Sequence, residues 1–252
     1  MRLFRWESAP AGYAVAFSTR LGGVSEGRYR SLNLGVLTGD EPDRVVVNRR
    51  RVCDAVGADA ETATMALQVH GARVTEAAPL GVLAPGTPYE PCDGLWSDRP
   101  GQAMLLVTAD CVPVALAREN GPRGLAVLHV GWRGLLAGIV ENGVAALRDG
   151  RSGNGRDGYL DGIAAAIGPA IGPCCYEVGD EVAGAYRERF GAAVLQGRNL
   201  DLPEATARAL RAAGVRTIDE TRRCTACEAD LFFSHRRDRG RTGRQGVVAV
   251  IR

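Results

Sequence analysis

Apolar residues along this chain recur with two periods, which predict short strands alternating with a few amphipathic helices. Apolar runs bounded by glycine or polar residues predict strands. The predicted strands are Tyr13–Ser18, Thr64–Val69, Ala103–Thr108, Val112–Ala117, Gly124–Val130, Gly162–Ile167 and Gly246–Ile251. The predicted helices are Asp43–Val56, Gly134–Arg148, Gly179–Phe190 and Leu202–Ala213.

Glycine and proline mark where these elements end. Gly57 follows the first predicted helix, as a helix stop signal requires. Gly168–Glu177 contains three Gly-Pro or Pro-Cys breaks and is predicted to be irregular, and Arg151–Gly158 is predicted to be a mobile loop rather than a domain boundary. With no linker and no repeat, we expect residues 1–252 to form a single layered α/β (mixed α+β) domain. Helices should flank a central mixed β-sheet, whose strand order cannot be read from the sequence.

Length and hydrophobicity fit a globular protein. The chain has 252 residues, and 46% of them are hydrophobic, which suffices for a buried core. No apolar stretch is long enough to cross a bilayer, and Met1–Glu7 lacks the uninterrupted apolar segment of a secretion signal. We therefore expect a cytoplasmic protein without a membrane partner.

Charge and cysteine content restrict the possible chemistry. The 31 basic and 29 acidic residues are well mixed, with a net charge of +2, so no nucleic-acid partner is expected. All basic residues are arginine, which excludes a Schiff-base lysine and a P-loop lysine. An anion such as phosphate must be held by guanidinium or backbone N–H groups. The seven scattered cysteines do not suggest a disulfide framework, so reduced thiols are expected.

Three residues far apart in the chain form a candidate zinc site. His70, Cys111 and His129 each lie at or just beyond the end of a predicted strand, and the chain has only three histidines. Two imidazoles and a thiolate are plausible zinc ligands, and three protein ligands leave a fourth position open for water or substrate. Taken singly, a histidine at a strand end is usually a hydrogen-bonded structural residue, and a lone cysteine is usually a small buried side chain. Spacing alone does not decide between these interpretations.

Several segments, in order from Phe17 to the C-terminus, resemble the laccase-domain family. That family is also called multicopper polyphenol oxidase and, more recently, purine nucleoside phosphorylase; some relatives are named peptidoglycan editing factor. The matching segments are Phe17–Ser25, Ser31–Gly35, Gln68–Gly71, Thr108–Val114, His129–Gly134, Ile167–Val178, Ser234–Arg237 and Thr242–Arg244.

The resemblance implies zinc at His70, Cys111 and His129, with purine nucleosides and phosphate as substrates. The implied reactions are phosphorolysis of adenosine, inosine and methylthioadenosine, and hydrolytic deamination of adenosine. Alternatives are a copper-dependent polyphenol oxidase (laccase), a peptidoglycan precursor editing factor and a non-catalytic zinc-binding protein. Three histidines are few for a multicopper cluster, although copper stays possible as the bound metal. Cys111 could also act as a base or nucleophile, but a metal-bound thiolate is a poorer nucleophile, so the ligand role is favoured.

Three further residues are candidates for substrate binding. Arg133 opens a predicted helix and could meet an anion at its N-terminus, or form a surface salt bridge. Arg20 and Asn33 lie in family-matching segments and could line the pocket, or stabilise turns. Asp110 could orient a metal-binding histidine, or simply face solvent.

The remaining cysteines and the third histidine give weaker signals. Cys174 and Cys175 are adjacent, and in an extended chain their side chains would point to opposite faces, so this segment is interpreted as a pocket wall. Cys224 and Cys227 have the spacing of a structural zinc pair, but no second pair lies nearby in the sequence. His235 is interpreted as a surface residue. Oligomeric state cannot be read from the sequence.

Overall fold

The computed structural model describes residues 1–81, 89–149 and 162–252, and the predicted loop Arg151–Gly158 lies outside them. The described part contains twelve β-strands and five α-helices. The strands are β1 (Leu3–Arg5), β2 (Tyr13–Ser18), β3 (Val74–Glu76), β4 (Gly94–Ser97), β5 (Met104–Thr108), β6 (Val112–Arg118), β7 (Leu125–Val130), β8 (Ile163–Ile167), β9 (Leu195–Gln196), β10 (Asn199–Leu200), β11 (Thr217–Glu220) and β12 (Gln245–Ile251). The helices are α1 (Pro42–Val56), α2 (Trp132–Leu136), α3 (Ile139–Asp149), α4 (Asp180–Phe190) and α5 (Leu202–Ala212).

Two sheets carry most of the strands. The smaller sheet has the order β1-β2-β12-β5 and is antiparallel throughout. Its strand β12 lies between β2 and β5, so that Val247 is opposite Phe17 on one side and Leu106 on the other. The larger sheet has the order β11-β8-β6-β7-β4-β3, with parallel pairs at both edges and antiparallel pairs between them. A two-stranded ribbon joins β9 to β10.

Three apolar clusters show how these elements are layered. One cluster lies between the two sheets and combines Phe17 and Leu106 of the smaller sheet with Ala115 and Val127 of the larger one. The outer face of the larger sheet packs against α3 and α5. The outer face of the smaller sheet packs against α1. The predicted mixed α/β layered architecture is confirmed, and its β layer consists of two stacked sheets.

Helix α1 illustrates why these elements form where they do. Pro42 occupies the first turn, where its missing N–H costs nothing, and Asp43 lies beside the positive end of the helix dipole. The buried face includes Val45, Val52 and Val56, and the helix ends at Gly57, whose φ of 73° is left-handed. The predicted boundaries of this helix therefore hold to within one residue.

Two predicted elements are wrong. Thr64–Val69 is not a strand, because its backbone pairs only at isolated positions, Thr64 with Met104 and Leu67 with Pro91. Gln68 instead binds the edge of the smaller sheet through its side chain: its amide accepts from Val107 N at 2.9 Å and donates to Val107 O at 2.6 Å. The predicted helix Gly134–Arg148 is two helices, because Gly138 between them adopts a left-handed φ of 92°. The shorter strands β1, β3, β4, β9, β10 and β11 were not predicted.

Among the described residues, no helix combines the length and the apolar character needed to cross a bilayer.

Candidate metal centre and cavity

Strand ends and turns bring three soft ligands together. His129 is the penultimate residue of β7, Cys111 immediately precedes β6, and His70 follows the segment that Gln68 fastens to β5. One potential ligand atom from each residue lies within 4.8 Å of those of the other two. The Cys111 sulfur is 3.9 Å from His70 Nδ1, and the two imidazole rings are 4.8 Å apart between centroids. Separations of this size suit three side chains around one metal ion.

The buried carboxylate of Asp93 orients both histidines. Its Oδ1 lies 2.7 Å from Nδ1 of His129, which leaves Nε2 of that ring to act as the metal ligand. The same carboxylate accepts hydrogen bonds from the backbone N–H groups of Val69, His70 and Gly71, at 3.1, 2.9 and 2.7 Å. One charged group thus fixes the ring of His129 and the backbone of His70.

The sequence left open whether Asp110 orients a metal-binding histidine or faces solvent, and the structure supports neither role, since Asp110 is buried. Asp110 does not contact a histidine among the described residues; it accepts from the Thr225 hydroxyl at 2.6 Å and from the backbone N–H of Arg236 at 2.7 Å. Its carboxylate therefore holds two loops near Cys111 instead of a ligand ring.

Backbone conformation around the site is unusual. His70 has a φ of 59° and Asp110 a φ of 89°, a left-handed region that costs an L-residue about 1–2 kcal/mol. Such strain persists where surrounding contacts impose it, and at His70 those contacts are the hydrogen bonds to Asp93. The strained positions are a ligand and the neighbour of a ligand, which is typical of a functional site.

Gly131 is the residue that allows the ligands to approach one another. A Cβ at this position would lie 2.7 Å from His70 Nδ1 and 3.4 Å from the Cys111 sulfur. The φ of Gly131 is −88°, which any residue can adopt, so its lack of a side chain matters for space rather than for conformation.

Cys111 and His129 shift each other's protonation. Burial raises the pKa of the Cys111 thiol, but the charge of His129 and hydrogen bonds to both histidines outweigh burial and bring the pKa to about 6. Burial lowers the pKa of His129, but the Cys111 thiolate and Asp93 raise it to about 9. In the metal-free site the Cys111 thiolate therefore faces a protonated His129, and a metal ion would bind the thiolate and replace the Nε2 proton of His129. The donor set fits zinc, because two imidazoles and a thiolate are typical zinc ligands and leave one coordination position open.

A cavity of about 450 Å³ opens beside the three ligands, within the range that holds small molecules. Its walls include the aromatic rings of Trp132 and Tyr176. Burial, followed by the nearby charge of Cys111, raises the pKa of Tyr176 to about 12, so its phenol stays neutral and can donate a hydrogen bond. Sequence reasoning did not single out Tyr176, and it placed His235 at the surface, although His235 also lines the cavity.

Three arginines give the cavity a positive wall. Arg133, Arg236 and Arg244 line it, and within the described ranges none of them forms an ion pair with a carboxylate. Arg236 donates to the carbonyl of Glu177, Arg244 donates to two backbone carbonyls, and Arg133 stacks 4.2 Å from the Trp132 ring. Arg49 and Asp110 also line the cavity, and the Asp110 carboxylate accepts the backbone N–H of Arg236, so among the described lining residues four guanidinium groups stand against one carboxylate and the Cys111 sulfur. This excess of positive charge can attract an anion.

The three predicted substrate contacts differ in position. Arg133 lines the cavity at the N-terminus of α2, whereas Arg20 and Asn33 are not among the described residues that line it. Arg20 donates to the carbonyls of Arg30 and Ala229, both at 2.9 Å. The buried Asn33 accepts the backbone N–H of Arg244 at 2.8 Å, so it helps to position a residue that does line the cavity.

The segment that holds Cys174 and Cys175 does contribute to a cavity wall, through Ile171 and Tyr176, but the structure corrects the expectation that the two cysteines cannot share a partner. Cys174, Cys175, Cys224 and Cys227 come together, and their four sulfur atoms lie within 4.8 Å of one another. The adjacent cysteines lie in a turn rather than an extended segment, so both side chains can face the same partner.

Comparison with known families gives a match over most of the chain. The family model described as "Multi-copper polyphenol oxidoreductase laccase" matches residues 14–252. A relative from Geobacillus stearothermophilus, named purine nucleoside phosphorylase YlmD, is 40% identical over 93% of this chain and 88% of its own length. A relative from Escherichia coli strain K12, named purine nucleoside phosphorylase YfiH, is 37% identical over 93% of this chain and 92% of its own length.

Solved structures show the same fold. The crystal structure of YlmD from Geobacillus stearothermophilus superposes with a TM-score of 0.83 at 35% identity, covering 100% of this chain and 97% of the other. The crystal structure of a Bacillus licheniformis hypothetical protein, YfiH, gives a TM-score of 0.86 at 32% identity, covering 98% of this chain and 99% of the other.

Proposed function

Because this chain belongs to the multi-copper polyphenol oxidoreductase laccase family, as its motifs indicated, we propose that it is a zinc-dependent purine nucleoside phosphorylase. Its substrates are adenosine, inosine and methylthioadenosine, together with inorganic phosphate. Hydrolytic deamination of adenosine is a second activity of the same cavity. The enzyme acts in the cytoplasm on free nucleosides.

The observation that carries this proposal is the arginine-rich wall beside the three soft ligands. Arg133, Arg236 and Arg244 match the charge of phosphate, and guanidinium groups can bind its oxygens through paired hydrogen bonds. A phenol oxidase has no need of such an anion site. The described metal ligands also include only two imidazoles, which favours a single zinc ion over a multicopper cluster.

In phosphorolysis, a phosphate oxygen forms a bond to C1′ of the ribose while the bond from C1′ to the purine nitrogen breaks. A proton carried by the phosphate ends on the purine, which gives the free base and ribose 1-phosphate. The three arginines hold the phosphate in place for attack, which removes much of the entropic cost of bringing the reactants together. The neutral phenol of Tyr176 can donate a hydrogen bond to the purine as its nitrogen gains electron density.

His70, Cys111 and His129 would hold the zinc ion, which supplies a Lewis acid at the cavity wall. Asp93 contributes by keeping the Nδ1 proton of His129 in place, so that Nε2 presents its lone pair. Gly131 contributes by leaving space for His70 and Cys111 to share one ion.

The decisive experiment incubates the purified protein with adenosine in the presence and absence of phosphate. Phosphorolysis gives adenine and ribose 1-phosphate only when phosphate is present, whereas deamination gives inosine in both conditions. His70→Ala should abolish both products while leaving the circular dichroism spectrum unchanged, because an open site contributes less to folding than a closed one. Cys53→Ala is the control, since Cys53 of α1 is buried in the apolar cluster between α1 and the smaller sheet and does not line the cavity. Absence of phosphate-dependent product from all three nucleosides would overturn the proposal.

The role of the arginine wall has its own test. Arg133→Gln should raise the KM for phosphate about tenfold or more, because a charge-assisted hydrogen bond contributes roughly 1.5–3 kcal/mol, and should leave the KM for the nucleoside nearly unchanged. Arg187→Gln, an exposed arginine in the last turn of α4, is the matched control. Equal effects of the two substitutions would contradict anion binding at Arg133.

A further inference from the structure

Four cysteines form a second cluster on the side of the molecule where β8 ends. Cys174 and Cys175 lie in the turn that follows β8, and Cys224 and Cys227 lie in the turn that follows β11. The Cys227 sulfur is 3.4 Å from the sulfurs of both Cys174 and Cys175, and all four sulfurs lie within 4.8 Å of one another. This four-cysteine cluster shares no residue with the candidate metal centre.

The distances indicate shared coordination rather than disulfide bonds. A disulfide joins sulfurs at about 2.05 Å, well below the separations here. Four thiolates bound tetrahedrally at about 2.3 Å from zinc would lie about 3.8 Å from one another. The distance of 3.4 Å between the sulfurs of Cys174 and Cys227 is somewhat shorter than this value. The 4.8 Å within which all four sulfurs lie is somewhat longer.

Backbone hydrogen bonds hold the two turns in this arrangement without help from the sulfurs. The N–H groups of Cys175 and Tyr176 both donate to the carbonyl of Gly172, at 3.0 and 3.1 Å, which makes the first turn tight. The second turn is closed by the N–H of Glu228, which donates to the carbonyl of Cys224 at 3.1 Å. The turns are therefore shaped for their sulfurs to converge.

Backbone hydrogen bonds between the two turns fix their positions relative to each other. Ala170 N donates to Arg223 O at 3.2 Å, and Thr225 N donates to Ala170 O at 3.0 Å. The N–H of Gly172 also points to the Cys224 sulfur at 3.3 Å, a contact that stabilises a thiolate. Such outer hydrogen bonds are typical of ligands in metal sites.

We propose that Cys174, Cys175, Cys224 and Cys227 bind a structural zinc ion. Thiolates are soft ligands that select zinc, and a complete set of four protein ligands leaves no open position for chemistry. This second zinc site does not depend on the proposed phosphorylase activity, because it rests on different residues and is measured through its own metal.

The position of the four-cysteine cluster indicates which part of the molecule the ion would stabilise. Tyr176, which follows Cys175, lines the cavity. Thr225, which follows Cys224, donates to Asp110, the residue before Cys111. The backbone N–H of Ile171 also donates to the carbonyl of Asp110 at 2.9 Å. Zinc in the four-cysteine cluster therefore fastens the two loops that form one wall of the cavity.

The test compares metal content in three forms of the full-length protein purified under reducing conditions with zinc. The unaltered protein should contain two zinc ions per chain. Cys227→Ser should keep only the zinc at the candidate metal centre, and His70→Ala should keep only the zinc in the four-cysteine cluster. Cobalt substituted for zinc should show the strong thiolate-to-cobalt charge-transfer absorption of a four-sulfur site in His70→Ala, and this absorption should be largely lost in Cys227→Ser.

A second measurement avoids any variant that fails to fold. Thiol reagents applied to the unaltered native protein should react slowly until a chelator removes the metal, after which five thiols should become reactive, the four of the cluster and Cys111 of the candidate metal centre. Cys53 and Cys92 should stay protected, since both are buried. A single zinc per chain that His70→Ala abolishes, iron in place of zinc, or a disulfide among the four cysteines in the reduced preparation would each overturn the proposal.

Discussion

At the scale of single residues, the candidate metal centre depends on one missing side chain and one carboxylate. Gly131 leaves the space that His70 and Cys111 occupy, and Asp93 fixes the two histidines. Neither Gly131 nor Asp93 would bind the metal itself. Both act through the positions of the three ligands, so changes to them should affect metal affinity more than the stability of the fold.

Gly131→Ala tests this directly. The new methyl group would lie 2.7 Å from His70 Nδ1, so the imidazole must move away from the site. We expect zinc affinity, measured by competition with a chelator, to fall at least tenfold, while the melting temperature of the metal-free protein changes little.

Gly179→Ala is the matched control for this substitution. Gly179 also precedes a helix, with φ of −72° and ψ of 164°, close to the −88° and 166° of Gly131, and a Cβ there would meet nothing within 4 Å. Unchanged zinc affinity in Gly131→Ala, or an equal loss in Gly179→Ala, would show that the space at Gly131 does not govern the site.

Sequence reasoning at this scale found ligands but not their supports. His70, Cys111 and His129 stand out because the chain has only three histidines and the three residues lie near the ends of predicted strands. Asp93 has no such signal, because its partners are 22 to 36 residues away and only the fold brings them near. Asp110 was considered because it adjoins Cys111, yet adjacency along the backbone says little about where a side chain points.

At the scale of elements, the break between α2 and α3 directs the chain after the site. Gly138 adopts a φ of 92°, so α2 ends after five residues and α3 can lie across β7 and β4. The apolar pattern continues through this break, which is why the sequence predicted one helix.

Gly138→Ala should destabilise the protein by about 1–2 kcal/mol, since an L-residue at this φ is strained. Gly184→Ala, inside α4 where a Cβ would meet nothing within 4 Å, should instead stabilise by roughly 0.5–1 kcal/mol. Chemical denaturation, with one common dependence of the unfolding free energy on denaturant concentration, measures the change in stability of both variants. A stabilising Gly138→Ala would mean that the helix break is not imposed by the surrounding structure.

The sequence predicted the longer elements well because burial on one face leaves a periodic pattern, as in α1 and β12. It missed strands of two to four residues, such as β3 and β9, because so few positions cannot establish a period. It placed a strand at Thr64–Val69 because apolar alternation does not distinguish a backbone ladder from the side-chain ladder that Gln68 forms with Val107.

At the scale of the whole molecule, the apolar layer between the two sheets joins the parts of the fold. Phe17 of β2 extends from the smaller sheet onto the backbone of Gly168, which follows β8 of the larger sheet. A Cβ at Gly168 would overlap the ring of Phe17. The spacing of the two sheets is therefore set in part by the Phe17 ring, which packs directly on the backbone of Gly168.

Phe17→Ala should lower the free energy of unfolding by about 3–5 kcal/mol, and Gly168→Ala by roughly 1–3 kcal/mol. The double variant should lose less than the two single losses combined, because the methyl group that Gly168→Ala introduces enters space that the ring has left. Guanidinium denaturation of the three variants measures the coupling. Additive losses would mean that Phe17 and Gly168 do not pack against each other.

The sequence did not predict which distant segments of the chain lie next to each other. The two turns of the four-cysteine cluster are far apart in the chain, with Cys227 lying 53 residues after Cys174, and only the pairing of the segments around Ala170 and Cys224 brings them together. The division of the strands into two stacked sheets likewise follows from pairings between distant strands, which hydrophobic period alone does not encode.

The central place of β12 in the smaller sheet affects how the protein is made. Among the described elements, β12 leaves the ribosome last, yet it supplies the pairing partner for both β2 and β5. Until then, Phe17 and Leu106 have no strand between them, and the apolar side chains of β2 and β5 stay open to chaperones or to other nascent chains. The smaller sheet therefore cannot assemble until β12 is available to pair with both neighbours.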